Sequence, residues 1–255
     1  MPLFFFLNLF SSGFLCALCF LCGKSLFLFK TCYHPLKPPL ESGIVEGMVA
    51  SMIKKDFYQP ASQEQIERTA QALEANGFHT LIAEDGEQAR QLFFQLIPEG
   101  AQVFQGKSAT LEELGITAEI EQSGRFIAVR PKLRTLDKAT QADQIRRLVA
   151  SPDFMTGSVA ALTEDGHVLA ASASGRQLGP YVSGAGQVIW VVGIQKIVAN
   201  LDEGFRRIEE YALPLEEERV YQSSAKHTSL NKVVVFYKER PGRITIILVK
   251  EALGY

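Results

Sequence analysis

The sequence from about Met48 onward predicts an α/β fold of three layers, built on a mostly parallel sheet with an antiparallel hairpin. Three observations predict it. Helical and strand patterns alternate through the first half of this region. The run Val188-Ile189-Trp190-Val191-Val192 has no polar face, as expected of a central strand buried on both sides. Thr163-Glu164-Asp165-Gly166 separates two apolar runs with an Asp-Gly pair, the strongest short hairpin signal.

Taken in order, Ser62 and Gln65 form a capping box, Ile66, Ala70 and Leu73 share one helical face, and Gly77 ends that helix. Phe78 to Ala83 is a short apolar strand before a Glu84-Asp85-Gly86 turn. Ala89, Leu92, Phe93 and Leu96 mark a second amphipathic helix, closed by Pro98 and Gly100. Ala101 to Gln105 is the next strand, and a helix opens near Ser108 with Thr110 and Glu113 as a capping pair. Strand Phe126 to Val129 and helix Lys138 to Ala150 follow; the four basic residues between Arg125 and Arg134 read as a strand end and a solvated loop. The second half is richer in strands: Ser158 to Leu162, His167 to Ala171, Val188 to Val192, Lys232 to Tyr237 and Ile244 to Val249, with helices at Leu201 to Tyr211 and Leu215 to Tyr221.

Composition narrows the function. A net charge of -2 and the lack of a dense Lys/Arg stretch argue against nucleic acid as a partner, because neutralising a row of phosphates needs a basic face. The four histidines, at 34, 79, 167 and 227, are scattered, so neither a metal site nor a Ser/His hydrolase is expected. All four cysteines precede residue 33. Cys16, Cys19 and Cys22 have an iron–sulfur-like spacing but lie inside a Phe/Leu tract rather than a polar cradle, so no cofactor is assigned. With no cysteine after Cys32, the rest of the chain needs no oxidising compartment, which fits a cytoplasmic location.

Residues 1–47 form an extension distinct from the domain at 48–255. Pro2 to Gly23 carries no charge, and eight Phe and eight Leu fall within the first 29 residues. This is long enough to span a bilayer, and Lys24, Lys30 and Lys37 would then keep the following domain cytoplasmic. The favoured reading is an upstream translation outside the folded protein, because composition shifts abruptly after His34 to Pro39 and Met48 and Met52 each offer a start. A membrane is a partner only if residues 2–23 belong to the protein.

Four places invite a site. Gly106-Lys107-Ser108 resembles the end of a phosphate-binding loop, but five residues rather than four separate Gly100 from Gly106, and the strand lies between the glycines instead of before them. What survives is a strand ending at Gly106 and feeding a helix capped by Ser108 or Thr110, which is either a simple strand-to-helix turn, the favoured reading, or a set of backbone N–H groups exposed to an anion. Glu164 is explained by its turn; the sharper reading makes it a carboxylate presented as nucleophile or base. Ser172 to Gly186, which includes Gly175, is a small, Gly-rich stretch, either a flexible connection or a loop shaped around a ligand, in which Arg176 would supply a bidentate cation. Lys196 falls just beyond the central strand, where open α/β sheets place their ligands, although the plainer and favoured reading is an ordinary surface lysine.

Together these stretches resemble the LUD domain of lactate utilization proteins. IPEGAQV at 97–103 with GKSATLEELG at 106–115, MTGSVAALTEDG at 155–166, QVIWVVGIQKIV at 187–198 and ITIILVKEALGY at 244–255 carry the resemblance, over roughly Gln59 to Tyr255. It implies a fold similar to ribose-5-phosphate isomerase, glucosamine-6-phosphate deaminase and class I CoA transferases. It also implies a role in oxidising lactate to pyruvate alongside iron–sulfur partner proteins. Gly175-Arg176-Gln177 stands where many relatives have Gly-Asn-Arg, and Ser223 to Asn231 lacks the cysteine cluster some relatives carry, so no iron–sulfur centre is expected in this chain. The expectation is a subunit that binds a small carboxylate or phosphate through Gly106, Ser108, Thr110, Gly175, Arg176 and Lys196. The alternative is a stand-alone enzyme of the CoA-transferase or sugar-phosphate-isomerase kind, since Thr163-Glu164-Asp165-Gly166 resembles the Ser-Glu-Asn-Gly motif whose glutamate forms a thioester with CoA.

Overall fold

The computed structural model describes residues 55–255; the apolar extension at 1–47 and its four cysteines lie outside the described residues. After a 3-10 turn at Lys55–Tyr58, the elements in chain order are α1 (Gln63–Ala75), β1 (His79–Ala83), α2 (Gly86–Gln95), β2 (Gln102–Gln105), α3 (Ala109–Glu113), α4 (Ile116–Gln122), β3 (Ile127–Ala128), α5 (Val129–Thr135), α6 (Ala142–Ala150) and β4 (Phe154–Gly157). Then come β5 (Ala161–Thr163), β6 (Val168–Ser172), a π-helical turn at Pro180–Gly184, β7 (Gln187–Gly193), a 3-10 turn at Ile194–Lys196, β8 (Ile197–Val198), α7 (Leu201–Arg207), a second π-helical turn at Ile208–Ala212, α8 (Leu213–Ser224), β9 (Lys232–Phe236) and β10 (Ile244–Val249).

Six strands form a wholly parallel central sheet in the order β1-β10-β7-β4-β2-β3. Strand period decides how it is covered. Along β7, Val188, Trp190 and Val192 enter one core while Ile189 and Val191 enter another. β10 divides the same way, with Ile244, Ile246 and Leu248 on the first side and Ile247 and Val249 on the second. One core is closed by α2, α3 and α4 through Phe93, Leu111, Ile116 and Ile120; the other takes Ile66 and Leu73 of α1. The result is the three-layer α/β fold expected from the unbroken apolar run at Val188–Val192.

The hairpin belongs to a second, four-stranded sheet ordered β8-β5-β6-β9. β5 and β6 pair antiparallel across the Asp165-Gly166 turn, β6 pairs antiparallel with β9, and β5 pairs parallel with β8. One face of this sheet, with Leu162, Val168 and Ala170, packs into the core beside Trp190. The other face, with Ala161 and Leu169, meets Ile208.

Three local expectations are corrected. Residues 158–162 are not one strand: the chain leaves the central sheet after Gly157 and joins the second sheet only at Ala161, so Ser158 sits in the crossing between them. The stretch after Arg125 is not a solvated loop. Val129–Thr135 is helical with Pro131 tolerated in its first turn, and Arg130 and Arg134 both pair with Glu121. The helix expected from Lys138 begins at Ala142, because the Asp137 carboxylate turns the chain by accepting the Ala139 and Thr140 N–H groups.

Candidate functional site

β2, β4 and β7 end side by side, and the segments leaving their C-terminal ends converge. After β2 comes Gly106-Lys107-Ser108, after β4 comes Ser158, and after β7 comes the turn carrying Lys196. These residues line a cavity of about 300 Å³, together with Thr110 and Tyr181. This is the edge at which parallel α/β sheets collect ligands, because every strand delivers its following loop to the same side.

Each wall has a local cause. Ser108 is the N-cap of α3, its Oγ accepting the Leu111 N–H at 3.4 Å, which sets Thr110 one step inside the helix facing the cavity. Thr110 and Glu113 therefore do not form the capping pair expected from sequence. Gly157 is required by close approach: a Cβ there would lie 2.0 Å from the Tyr181 hydroxyl oxygen. Tyr181 stands in the Pro180–Gly184 turn, edge-on to Trp190 with ring centroids 5.1 Å apart, and burial holds its phenol well above the ordinary value. The closing stretch Leu253–Tyr255 completes the cavity. The Leu253 carbonyl accepts from Thr110 Oγ1 at 3.2 Å and from Gln195 Nε2 at 2.8 Å, and the Tyr255 side chain lines the cavity, bound to Glu216 and Arg219 of α8.

The centre of the site is Lys196, whose side chain is 1% exposed. Its Nζ donates to Thr110 Oγ1 at 3.1 Å and Ser158 Oγ at 3.0 Å. Thr110 uses its own hydrogen on the Leu253 carbonyl, so it can serve the lysine only as an acceptor. Among the described residues no carboxylate lies within ion-pair distance of Nζ. Burial first, then the Arg207 guanidinium, brings the ammonium down to about 7, against the opposing pull of Glu113.

Arg207, the last residue of α7, is itself fully buried. Its Nη1 donates to the Ala160 carbonyl at 2.5 Å, its guanidinium lies 5.1 Å from the Tyr211 ring centroid, and its Nε and Nη2 have no hydrogen-bond partner among the described residues. Burial lowers it to about 10, with Tyr211 opposing. Among the described residues no carboxylate pairs with either of these two buried cations. The acid in the cavity wall, Glu216, is already neutralised by Arg219 at 2.5 Å.

Of the residues singled out from sequence, Gly106, Ser108, Thr110 and Lys196 line the cavity. Gly175 and Arg176 do not. Gly175 has a φ of +77° and shapes the loop, whose Ser174 and Gln177 reach the cavity, whereas the Arg176 side chain is exposed to solvent. Glu164 also lies outside the cavity wall. It occupies the β5–β6 turn, where its carboxylate pairs with Arg68 at 2.5 Å and accepts from Gln65 Nε2 at 2.8 Å, both on α1. Sequence reasoning passed over Ser158, Tyr181 and Arg207. Ser158 was hidden by the strand drawn through it, and the burial of Arg207 has no local signature in a polar helix.

Among the described residues no three His, Cys, Asp or Glu side chains converge as metal ligands, and no helix is long and apolar enough to cross a membrane.

A parallel three-layer sheet whose strand ends enclose a cavity lined by a buried lysine and a set of hydroxyls defines an α/β protein. The chain belongs to the LUD domain family, whose model matches residues 66–249, and is thus of the lactate-utilization type. No curated protein matches it. A crystal structure of a DUF162 family protein from Deinococcus radiodurans is similar at 14% identity and a TM-score of 0.44, covering 74% of this chain and 99% of that one.

Proposed function

We propose that this protein is the small-anion-binding subunit of a lactate-to-pyruvate oxidation system, and that the anion, a carboxylate or phosphate, sits against Lys196. The observation that carries this reading is a fully buried lysine with no carboxylate partner among the described residues, in an open cavity where its near neighbours are the Thr110 and Ser158 hydroxyls. A buried charge is ordinarily paired, so the missing partner is the ligand. Lys107, Ser108 and the Ser172–Gln177 loop supply further donors around the same space. The working unit in this reading is the domain at 48–255, acting in the cytoplasm, with iron–sulfur chemistry left to partner proteins.

A thermal-shift series on the full chain tests it, with lactate, pyruvate, sugar phosphates, nucleotides and CoA esters as ligands. A ligand at a hundred times its dissociation constant adds about 2.7 kcal/mol of stability. Lys196→Ala is expected to weaken the responding ligand by about 1.5–3 kcal/mol, whereas Arg176→Ala, outside the cavity, leaves its affinity unchanged. Affinity should fall as pH rises through about 7, where the lysine loses its charge. No stabilisation by any anion, or equal affinity in wild type and Lys196→Ala, would refute the assignment.

A further inference from the structure

Desolvation, with a neighbouring guanidinium, lowers the charge on Lys196 near neutrality when the cavity is empty. Lys196 is buried beside two hydroxyls, with Arg207 exerting a larger charge influence on it than Glu113. The charged and titratable groups facing it are Arg207 from α7, Glu113 from α3, Lys107, Tyr181, Tyr255, and Glu216 neutralised by Arg219. None of the carboxylates pairs with it. In its uncharged form the amine has two N–H bonds and one lone pair. Its two hydrogen bonds, to Thr110 and Ser158, use both N–H groups and leave the lone pair unoccupied. A desolvated lysine beside another cation is the arrangement that makes an amine nucleophilic at neutral pH.

We propose that Lys196 is a carbonyl-condensing nucleophile and that the cavity's ligand is a small 2-oxo acid, held as an imine on Nζ. This rests on the reading of the cavity as an anion site and names the substrate class of that site. The lone pair attacks the carbonyl carbon, and the carbonyl π pair moves to oxygen. The two amine hydrogens then leave with that oxygen as water while the C=N bond forms, with no change of oxidation state. The imine nitrogen, once protonated, returns a positive charge to the place where the ligand carboxylate needs it, and the cavity hydroxyls receive the carboxylate oxygens. At about 300 Å³ the cavity admits a ligand of a few heavy atoms with water beside it.

The test is reductive trapping. The full chain is incubated with pyruvate and cyanoborohydride across pH 6 to 9, followed by intact-mass measurement and peptide mapping. At pH 7 an ordinary lysine has roughly a thousand-fold less free amine than one half-ionised there, so the adduct should concentrate on the Lys196 peptide. Trapping should already proceed near pH 7 and vanish in Lys196→Met. An adduct spread over surface lysines, or one that persists in Lys196→Met, overturns the proposal. Lactate, which has the carboxylate but no carbonyl, separates this proposal from the underlying one. Stabilisation by both lactate and pyruvate without an adduct leaves the anion site standing and refutes the imine. An adduct on Lys196 without stabilisation by lactate supports the imine and counts against a general anion site.

Discussion

Lys196 and Glu164 are both charged residues at strand ends, and their surroundings are opposite. Glu164 has an arginine and a glutamine from α1 around its carboxylate, in a turn clamped further by Asn76 Nδ2 donating to the Asp165 and Gly166 carbonyls. Lys196 is more deeply buried, yet has two hydroxyls and, among the described residues, no counterion. A charge whose partners come from its own fold is accounted for by stability; a charge left without one is accounted for by something the fold receives. The difference directs attention to the lysine.

Removing the lysine should break the comparison most visibly, through pH. The folded value, about 7, lies below the ordinary lysine value of 10.5, so between these the unfolded chain binds more protons than the folded one. Stability must therefore rise with pH across that window, at up to roughly 1 kcal/mol or slightly more per pH unit, and be lowest below about pH 7. Urea unfolding between pH 7.5 and 9.5 should show this slope in wild type. Lys196→Met should be flatter across the window and more stable than wild type at its acid end. The window stops short of pH 10 because the phenols of Tyr181 and Tyr255, both raised by burial, reverse the sign there. A wild type as flat as the variant would show that the lysine is solvated.

The turn can be broken at its backbone instead. Gly166 has a φ of +82°, and a Cβ on it would lie 2.5 Å from the Ala72 carbonyl carbon of α1, a backbone atom that cannot swing aside. Gly166→Ala should cost about 2–4 kcal/mol, combining left-handed strain with overpacking. Chemical denaturation reads that loss. Ligand affinity in the Lys196 cavity should be unchanged as long as the protein is folded.

The same contrast shows what was legible in the sequence. Signals carried by neighbours along the chain were read correctly: the Ser62–Gln65 capping box, the Asp165-Gly166 turn, the limits of Ile244–Val249 and the unbroken burial of Val188–Val192. Lys196 lines the cavity because topology puts the residues after a central strand at that edge of the sheet, whereas its burial has no signal in the sequence. Ser158 was missed because an apolar run at Val159–Leu162 resembles a single strand whether or not the chain changes sheets within it. Arg207 and Tyr181 were missed for a related reason. Burial of one arginine out of Arg206-Arg207, or of one tyrosine in a Gly-rich loop, is decided by elements far away in sequence. Arg176, singled out on its chemistry alone, lies outside this cavity's wall, since a loop that approaches a cavity need not point every side chain into it.

The smallest expected effect is also the most decisive for the alternative of an enzyme acting through Glu164. Arg68 is half exposed, so its ion pair with Glu164 is screened by solvent and should contribute less than about 1 kcal/mol. Glu164→Gln keeps the shape of the side chain and an acceptor for Gln65 while removing the charge, so the melting temperature should barely move. If the carboxylate serves only the turn, the variant should also retain full affinity for any ligand that stabilises wild type, and neither protein should give a hydroxylamine-sensitive acyl adduct with CoA esters. If wild type is acylated and Glu164→Gln is not, the turn is a catalytic element despite its pairing, and the contrast with Lys196 no longer identifies the reactive end of the molecule.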